Sequence, residues 1–302
     1  MDVATLNRIA GARDMPLLAP DALRIDSWAA GERSFGLVCA RLRDARAWFT
    51  AVRALFDRME AEGIDHAEPS LMPVVHVEAG VRFEELWAGV VDAIAAGEAE
   101  TGRSMRLLFA VPRNGSAARG FETLRLLERA AHPAIVGIDL AGEERAETIA
   151  PFAPVFAEAR RMGLATAAHA GEFGGPEGVA RTLDLLQPTR IHHGIAAAAD
   201  PALMRRIAAA GIGLDVTPTS NVAFGAVRRL EEVPLRALHA AGIRISVSTD
   251  DPALVGVTLP QEIAQLRTVF GFDPASAAEI AANAARNAFA PPGAATGAVA
   301  AA

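Results

Sequence analysis

The regular alternation of short β-branched runs with longer stretches of helical period constrains this chain more than any other feature. Alternating or continuous apolar runs read as strands at 65–75, 105–111, 135–140, 165–168, 190–193, 212–216 and 244–249. Stretches rich in Ala, Leu, Glu and Arg read as helices at 49–62, 83–102, 117–131, 146–162, 175–186, 201–210 and 235–241. Successive strands lie roughly 30 residues apart, the size of one βα unit. Repetition of that unit calls for a parallel sheet with helices outside. An open doubly wound sheet and a closed barrel both satisfy the pattern. Polar residues at the end of nearly every strand favour the barrel, whose sites are built from the C-terminal strand ends. Seven strands are legible, and the chain opens directly in a helix-like stretch at 3–12. The expected fold class is therefore α/β, a (β/α)8 TIM-type barrel with its first strand missing. Residues 16–34 read as an irregular Pro/Gly-punctuated connection. With no internal repeat and no linker, residues 1–290 read as a single domain, followed by a low-complexity tail at 291–302.

Composition narrows the function classes. A net charge of −7 and the lack of any basic run interleaved with aromatics argue against a nucleic-acid partner or a charged membrane surface. Cys39 is the only cysteine, which excludes an internal disulfide and any multi-cysteine zinc site. A reducing cytoplasm fits that usage, and neither a secretory leader nor a charge-free apolar stretch of spanning length is legible.

Chemistry concentrates at five strand ends. Asp250-Asp251 closes the run at 244–249 and precedes Pro252. Two adjacent carboxylates repel, so something positive or proton-donating is expected to face them. Asp251 before a proline also reads as a helix cap, whereas Asp250 has no such structural reason. In His169-Ala-Gly-Glu172 an imidazole and a carboxylate lie one tight turn apart, fit for ligand and general acid or for base and orienter. Taken alone it is as readily a helix-entry turn holding a satisfied histidine. In Arg190-Ile-His192-His193-Gly194 strand alternation allows one histidine to face the barrel mouth. His193, at the strand end, is the better candidate, and His192 is expected to pack between strand and helix. Thr217-Pro-Thr-Ser220-Asn221 reads first as turn chemistry. Gly142, after Gly137-Ile-Asp139-Leu-Ala, suggests either a close backbone approach to a ligand or a turn needing positive φ.

Together these segments resemble the adenosine deaminase family of the metal-dependent amidohydrolases: IVGIDLAGEE (135–144), HAGE (169–172), RIHHG (190–194), TPTSN (217–221) and STDDP (248–252). The steps of 24 residues from His169 to His193 and 57 from His193 to Asp250 also look like the family's. The resemblance implies hydrolytic deamination of adenosine or a related 6-aminopurine nucleoside, with release of ammonia. By the same resemblance, one Zn2+ is bound by His169 and Asp250, Glu172 protonates the ring at N1, and His193 is the base and orienter for the attacking water. Asp251 would meet N7, and the backbone N–H of Gly142 would meet N3. Glu172 must then carry a proton at rest, so burial and neighbouring carboxylates should raise its pKa.

The chain also departs from the family. It contains no His-x-His pair, the hallmark of the first strand and the source of two further zinc ligands. His66 and His76, ten residues apart, do not replace it. Thr217 stands where Cys is frequent, His192 where Gly is, and Ala67-Glu68-Pro-Ser70 departs from the usual second strand. With one His and one Asp the zinc would be weakly held, since catalytic sites normally keep three protein ligands. Substoichiometric zinc and very weak or no deamination are expected of the 302-residue chain. Three readings follow: a deaminase whose start lies further upstream, a zinc-poor relative that only binds purines, and a deaminase of another 6-aminopurine such as adenine. Oligomeric state is not legible.

Overall fold

The computed structural model describes residues 1–144 and 148–289, together with the backbone of 299–300. Its strands are β1 (His66–Ala67), β2 (Ser70–Leu71), β3 (Ser104–Met105), β4 (Leu107–Pro112), β5 (Ile135–Ala141), β6 (Ala165–Ala170), β7 (Arg190–His193), β8 (Gly213–Val216), β9 (Ile245–Val247) and β10 (Val299–Ala300). Seven of them form one parallel sheet in the order β2-β4-β5-β6-β7-β8-β9. The remaining three pair as β10-β1-β3, also in parallel. β1 and β2 behave as one strand interrupted at Pro69, because Arg106 N–H donates to Ala67 O and Leu108 N–H to Pro69 O along the same edge. The seven strand regions expected from sequence are thus all present, in chain order, with helices between them. Among the described residues the sheet does not close into a complete barrel.

Strand alternation divides the sheet by chemistry. Ile138, Leu140, Ile191, Leu214, Ile245 and Val247 are buried and pack against the surrounding helices. Glu68, Asp139, Arg190, His192, Asp215 and Ser246 are also buried, and they meet one another inside the sheet's curve. Register makes this meeting specific: His169 pairs with His192, His192 with Asp215, and Asp215 with Ser246, one rung across four strands.

At the base of the curve, Arg190 lies 2.6 Å from Glu68 and 3.0 Å from Asp215, with Phe289 stacked 4.0 Å beneath its guanidinium. His66 belongs to this base, its ring nitrogens 2.6 Å from Ser104 and 3.2 Å from Glu68. His76 packs instead against Trp48. Neither gathers with His169 as a candidate metal ligand among the described residues, although His76 lines the same cavity as His169.

Several local expectations are corrected. The strand read at 65–75 stops earlier, because Pro73 opens a helix at Pro73–Glu78 despite the β-branched Val74 and Val75. The segment read as irregular at 16–34 contains the start of a helix, Trp28–Cys39, capped by Ser27. TPTSN is the first turn of a helix, Pro218–Ala223, rather than a simple turn. The helix read at 146–162 is a 3-10 turn at Ala150–Phe152 followed by Ala153–Arg161, and 146–147 fall outside the described residues. The tail at 291–302 also lies outside them, apart from the backbone of β10. No helix among the described residues is long and apolar enough to cross a membrane.

Candidate active site

A cavity of about 720 Å³ opens at the C-terminal ends of the strands. His169, His192, His193, Asp250 and Asp251 line it, so four of the six residues singled out from sequence face one space. Glu172 neighbours His193, with its carboxylate 3.5 Å from His193 Nε2 and its side chain 8% exposed. Gly142 follows Ala141, which lines the cavity. Its φ of +119° is a conformation that residues with a Cβ rarely adopt, while a Cβ there would meet nothing closer than 3.4 Å. Gly142 is therefore fixed by its backbone angle and not by crowding.

Backbone conformation decides which histidines reach the cavity. His193 has φ +67° and Asp250 φ +56°, both left-handed without being glycine. Such strain persists only where the surroundings over-determine it, and it clusters at functional sites. The left-handed turn at His193 breaks strand alternation, so His192 and His193 both face inward. Their ring centroids lie 4.8 Å and 5.3 Å from that of His169. This corrects the expectation that His192 packs between strand and helix. His169 itself lies within β6 and not beyond its end.

Each side chain is held by neighbours. His193 Nδ1 lies 2.9 Å from both Thr217 Oγ1 and Asn221 Nδ2, which leaves Nε2 toward Glu172. Ser220 donates its hydroxyl to Asp250 at 2.6 Å. Asp139 lies 3.1 Å from His169 Nδ1 and accepts from Ser70 at 3.0 Å. Asp251 occupies the N-cap position of the helix Pro252–Val255 but makes no capping bond. The capping role read from sequence is therefore not made, and its carboxyl is left to the cavity.

The turn carrying Glu172 is clamped by a residue the sequence did not single out. The Glu144 carboxylate accepts the backbone N–H groups of Gly171 at 2.6 Å, and of Glu172 and Phe173 at 2.7 Å each. Asp139, Ser220 and Glu144 each sat inside a motif segment. Only the fold shows that their side chains point at the site residues.

Electrostatics sort these groups by protonation. Burial pushes the Glu172 carboxyl upward, toward the protonated form, and Asp250 adds to this against the opposing pull of His193. Asp251 is raised to about 7 by the desolvating walls of the cavity and then by the adjacent Asp250. His169 is raised to about 9: burial works against its charge, and the Asp139 carboxylate overcomes it. Asp139 is held well below the usual carboxylate range, because His169, His192 and Ser70 outweigh its complete burial. Burial holds His192 neutral, well below the ordinary histidine range.

Two groups of three can gather around a cation, His169–His193–Asp250 and Asp139–His169–His192; in each, the candidate ligand atoms lie within 4.8 Å of one another. Imidazole and carboxylate groups gathered at the C-terminal strand ends of a parallel α/β fold are the kind of site that a metal-dependent amidohydrolase requires. Residues 24–297 match the family model described as adenosine deaminase, and the chain belongs to that family.

Relatives in sequence include an adenine deaminase from Agrobacterium fabrum, 37% identical across 65% of this chain and 60% of its own length. An aminodeoxyfutalosine deaminase from Acidothermus cellulolyticus is 36% identical across 87% of this chain and 76% of its own length. The crystal structure of an adenine deaminase from Arthrobacter aurescens superposes with a TM-score of 0.88 at 29% identity, covering 96% of this chain and 90% of that one.

Proposed function

We propose that the chain carries out hydrolytic deamination of a 6-aminopurine, releasing ammonia. The observation that carries this reading is the pairing of a buried Glu172, its carboxyl pushed upward by burial, with His193 at 3.5 Å, next to the His169–His193–Asp250 group.

His169 and Asp250 would hold a divalent ion. An imidazole nitrogen and a carboxylate oxygen are donors that the zinc class accepts. When bound, such an ion supplies a water able to act as nucleophile at neutral pH. The remaining chemistry belongs to the chain. Glu172 keeps a proton by virtue of burial and delivers it to the purine ring, making the amino-bearing carbon electrophilic. His193, fixed at Nδ1 by Thr217 and Asn221, offers Nε2 to orient the attacking water and take up its proton. Asp251, uncommitted to its helix, offers a hydrogen bond to a ring nitrogen. The N–H of Gly142 is the counterpart assigned to the ring's other edge.

The finer reading is a purine bearing a substituent in place of a free base. The cavity of about 720 Å³ is lined by Trp48, Phe35 and Val38 as well as by the histidines, which supplies apolar wall for a substituent. The second class of reading is a purine-binding relative without turnover.

Ammonia release from zinc-supplemented protein, measured over adenine, adenosine and larger N9-substituted 6-aminopurines, tests both. Weak turnover is expected, with the substituted purines preferred over adenine. Faster turnover of adenine would overturn the finer reading. Binding of the panel without ammonia would favour the non-catalytic relative. Glu172→Gln is expected to lower turnover by about 10²–10⁴-fold with metal content unchanged. Retained turnover in that variant would remove Glu172 from its role.

A further inference from the structure

We propose that Asp139, His169 and His192 form an inner seat for a divalent cation of the zinc class, deeper in the fold than the His169–Asp250 position. The seat goes beyond the proposed reaction and rests on that reading only through the shared His169.

His192 carries the inference. Its side chain is 10% exposed and it lines the cavity, yet Nε2 has no hydrogen-bond partner among the described residues. Such buried polar atoms call for an explanation. Nε2 faces Asp139 Oδ1 at 3.8 Å, too far for a hydrogen bond. The same Oδ1 lies 3.3 Å from His169 Nδ1. Two ligands that each bind one tetrahedral zinc at 2.0–2.1 Å stand about 3.3 Å apart. The His169 separation meets that spacing and the His192 separation exceeds it.

His192 Nδ1 faces Asp215 Oδ2 at 3.6 Å, too long for a hydrogen bond, so this carboxylate neighbours the imidazole on the side away from Asp139 without binding it. Asp215 is itself fixed by Ser246 at 2.5 Å and Asn287 at 3.1 Å. Ser70 binds Asp139 Oδ2, which leaves Oδ1 toward His192. The strand register places His169, His192 and Asp215 side by side, so the seat is built on rigid backbone.

His169 makes the two seats exclusive. A neutral imidazole has one N–H and one lone pair. With the lone pair on Nδ1, it serves the inner seat. With Nδ1–H directed at Asp139, the lone pair lies on Nε2 and serves the outer one. One ion per chain can therefore occupy either position, and the tautomer of His169 goes with the choice.

Zinc titration of the chelator-stripped 302-residue chain tests this, with bound metal measured after dialysis and folding checked by circular dichroism. Asp250→Asn is expected to keep about one zinc per chain. Adding His192→Gln to it should weaken binding by at least ~100-fold, more than the loss of an outer support. Should the double variant not fold, Asp139→Asn in the Asp250→Asn background makes the same cut and carries the same expectation. Loss of metal in Asp250→Asn with full binding in His192→Gln would overturn the inner seat and leave the outer one standing. Equal binding in Asp250→Asn and its His192→Gln derivative would also overturn the inner seat. Wild-type protein that takes up no zinc would overturn both seats. Loss in His192→Gln alone would support the inner seat and remove the outer assignment.

Discussion

Removing the Glu144 carboxylate should loosen the site without touching any residue assigned to the chemistry. Glu144 is 5% exposed and accepts three consecutive backbone N–H groups, those of Gly171, Glu172 and Phe173. It fits there because Gly174 and Gly178 lack side chains: a Cβ on Gly174 would stand 2.6 Å from Glu144 Oε1, and one on Gly178 3.0 Å. A hydrogen bond to a charged group contributes about 1.5–3 kcal/mol. The three bonds do not sum independently. They share one carboxylate, and two of the donors are only partly buried and can regain water. The buried Gly171 N–H is left unsatisfied, at a cost of about 1–3 kcal/mol by itself.

Glu144→Ala should therefore destabilise the chain by about 2–4 kcal/mol, which for a chain of this size lowers Tm by about 4–8 °C. The freed turn no longer fixes Glu172 against His193. The expected kinetic effect is a drop in kcat of at least about tenfold with KM little changed, the pattern of a misplaced reacting group. Glu144→Gln keeps one acceptor oxygen and should fall between. Thermal melts followed by circular dichroism, together with ammonia release, provide the measurements. A Glu144→Ala protein melting within about 1 °C of wild type would refute the clamp.

Two further outcomes follow from buried charge. In metal-free protein the folded pKa of His169, about 9, lies above the ordinary histidine value of 6.5. Its stabilising contribution is then complete below pH 6.5 and is lost as pH rises toward 9. Urea melts across that window should show falling stability, and His169→Asn should flatten the slope; rising stability would contradict the Asp139–His169 pairing. Arg190→Met leaves Glu68 and Asp215 buried without their shared cation, which should cost about 3–5 kcal/mol. Urea denaturation that shows a loss below about 1 kcal/mol would mean that these carboxylates are protonated or otherwise satisfied.

The order of elements and the placement of the motifs were legible because both rest on local periodicity. Strand and helix periods located the βα units, and five polar strand ends pointed to one face before any contact was known. His169, His193, Asp250 and Asp251 meet there because parallel strands bring their C-terminal ends together whatever the loops between them do. Where local preference competed with context, the reading slipped. Val74 and Val75 favour a strand, but Pro73 had already turned the chain into a helix. Asp251 before Pro252 had the grammar of a cap, yet its carboxyl makes no capping bond.

What the sequence could not carry is side-chain direction at strained positions and register between strands distant in sequence. Alternation alone sends His192 away from His193, and only the left-handed backbone at His193 brings both inward. Asp215 and Asp139 became partners of His192 through the pairing of β5 to β8, a long-range choice that no local pattern encodes. The sequence by itself determined which chemical groups end their strands. The tertiary structure decided which of them face one another, because hydrogen-bond register between strands, and not residue type, sets the distances on which coordination and proton transfer depend.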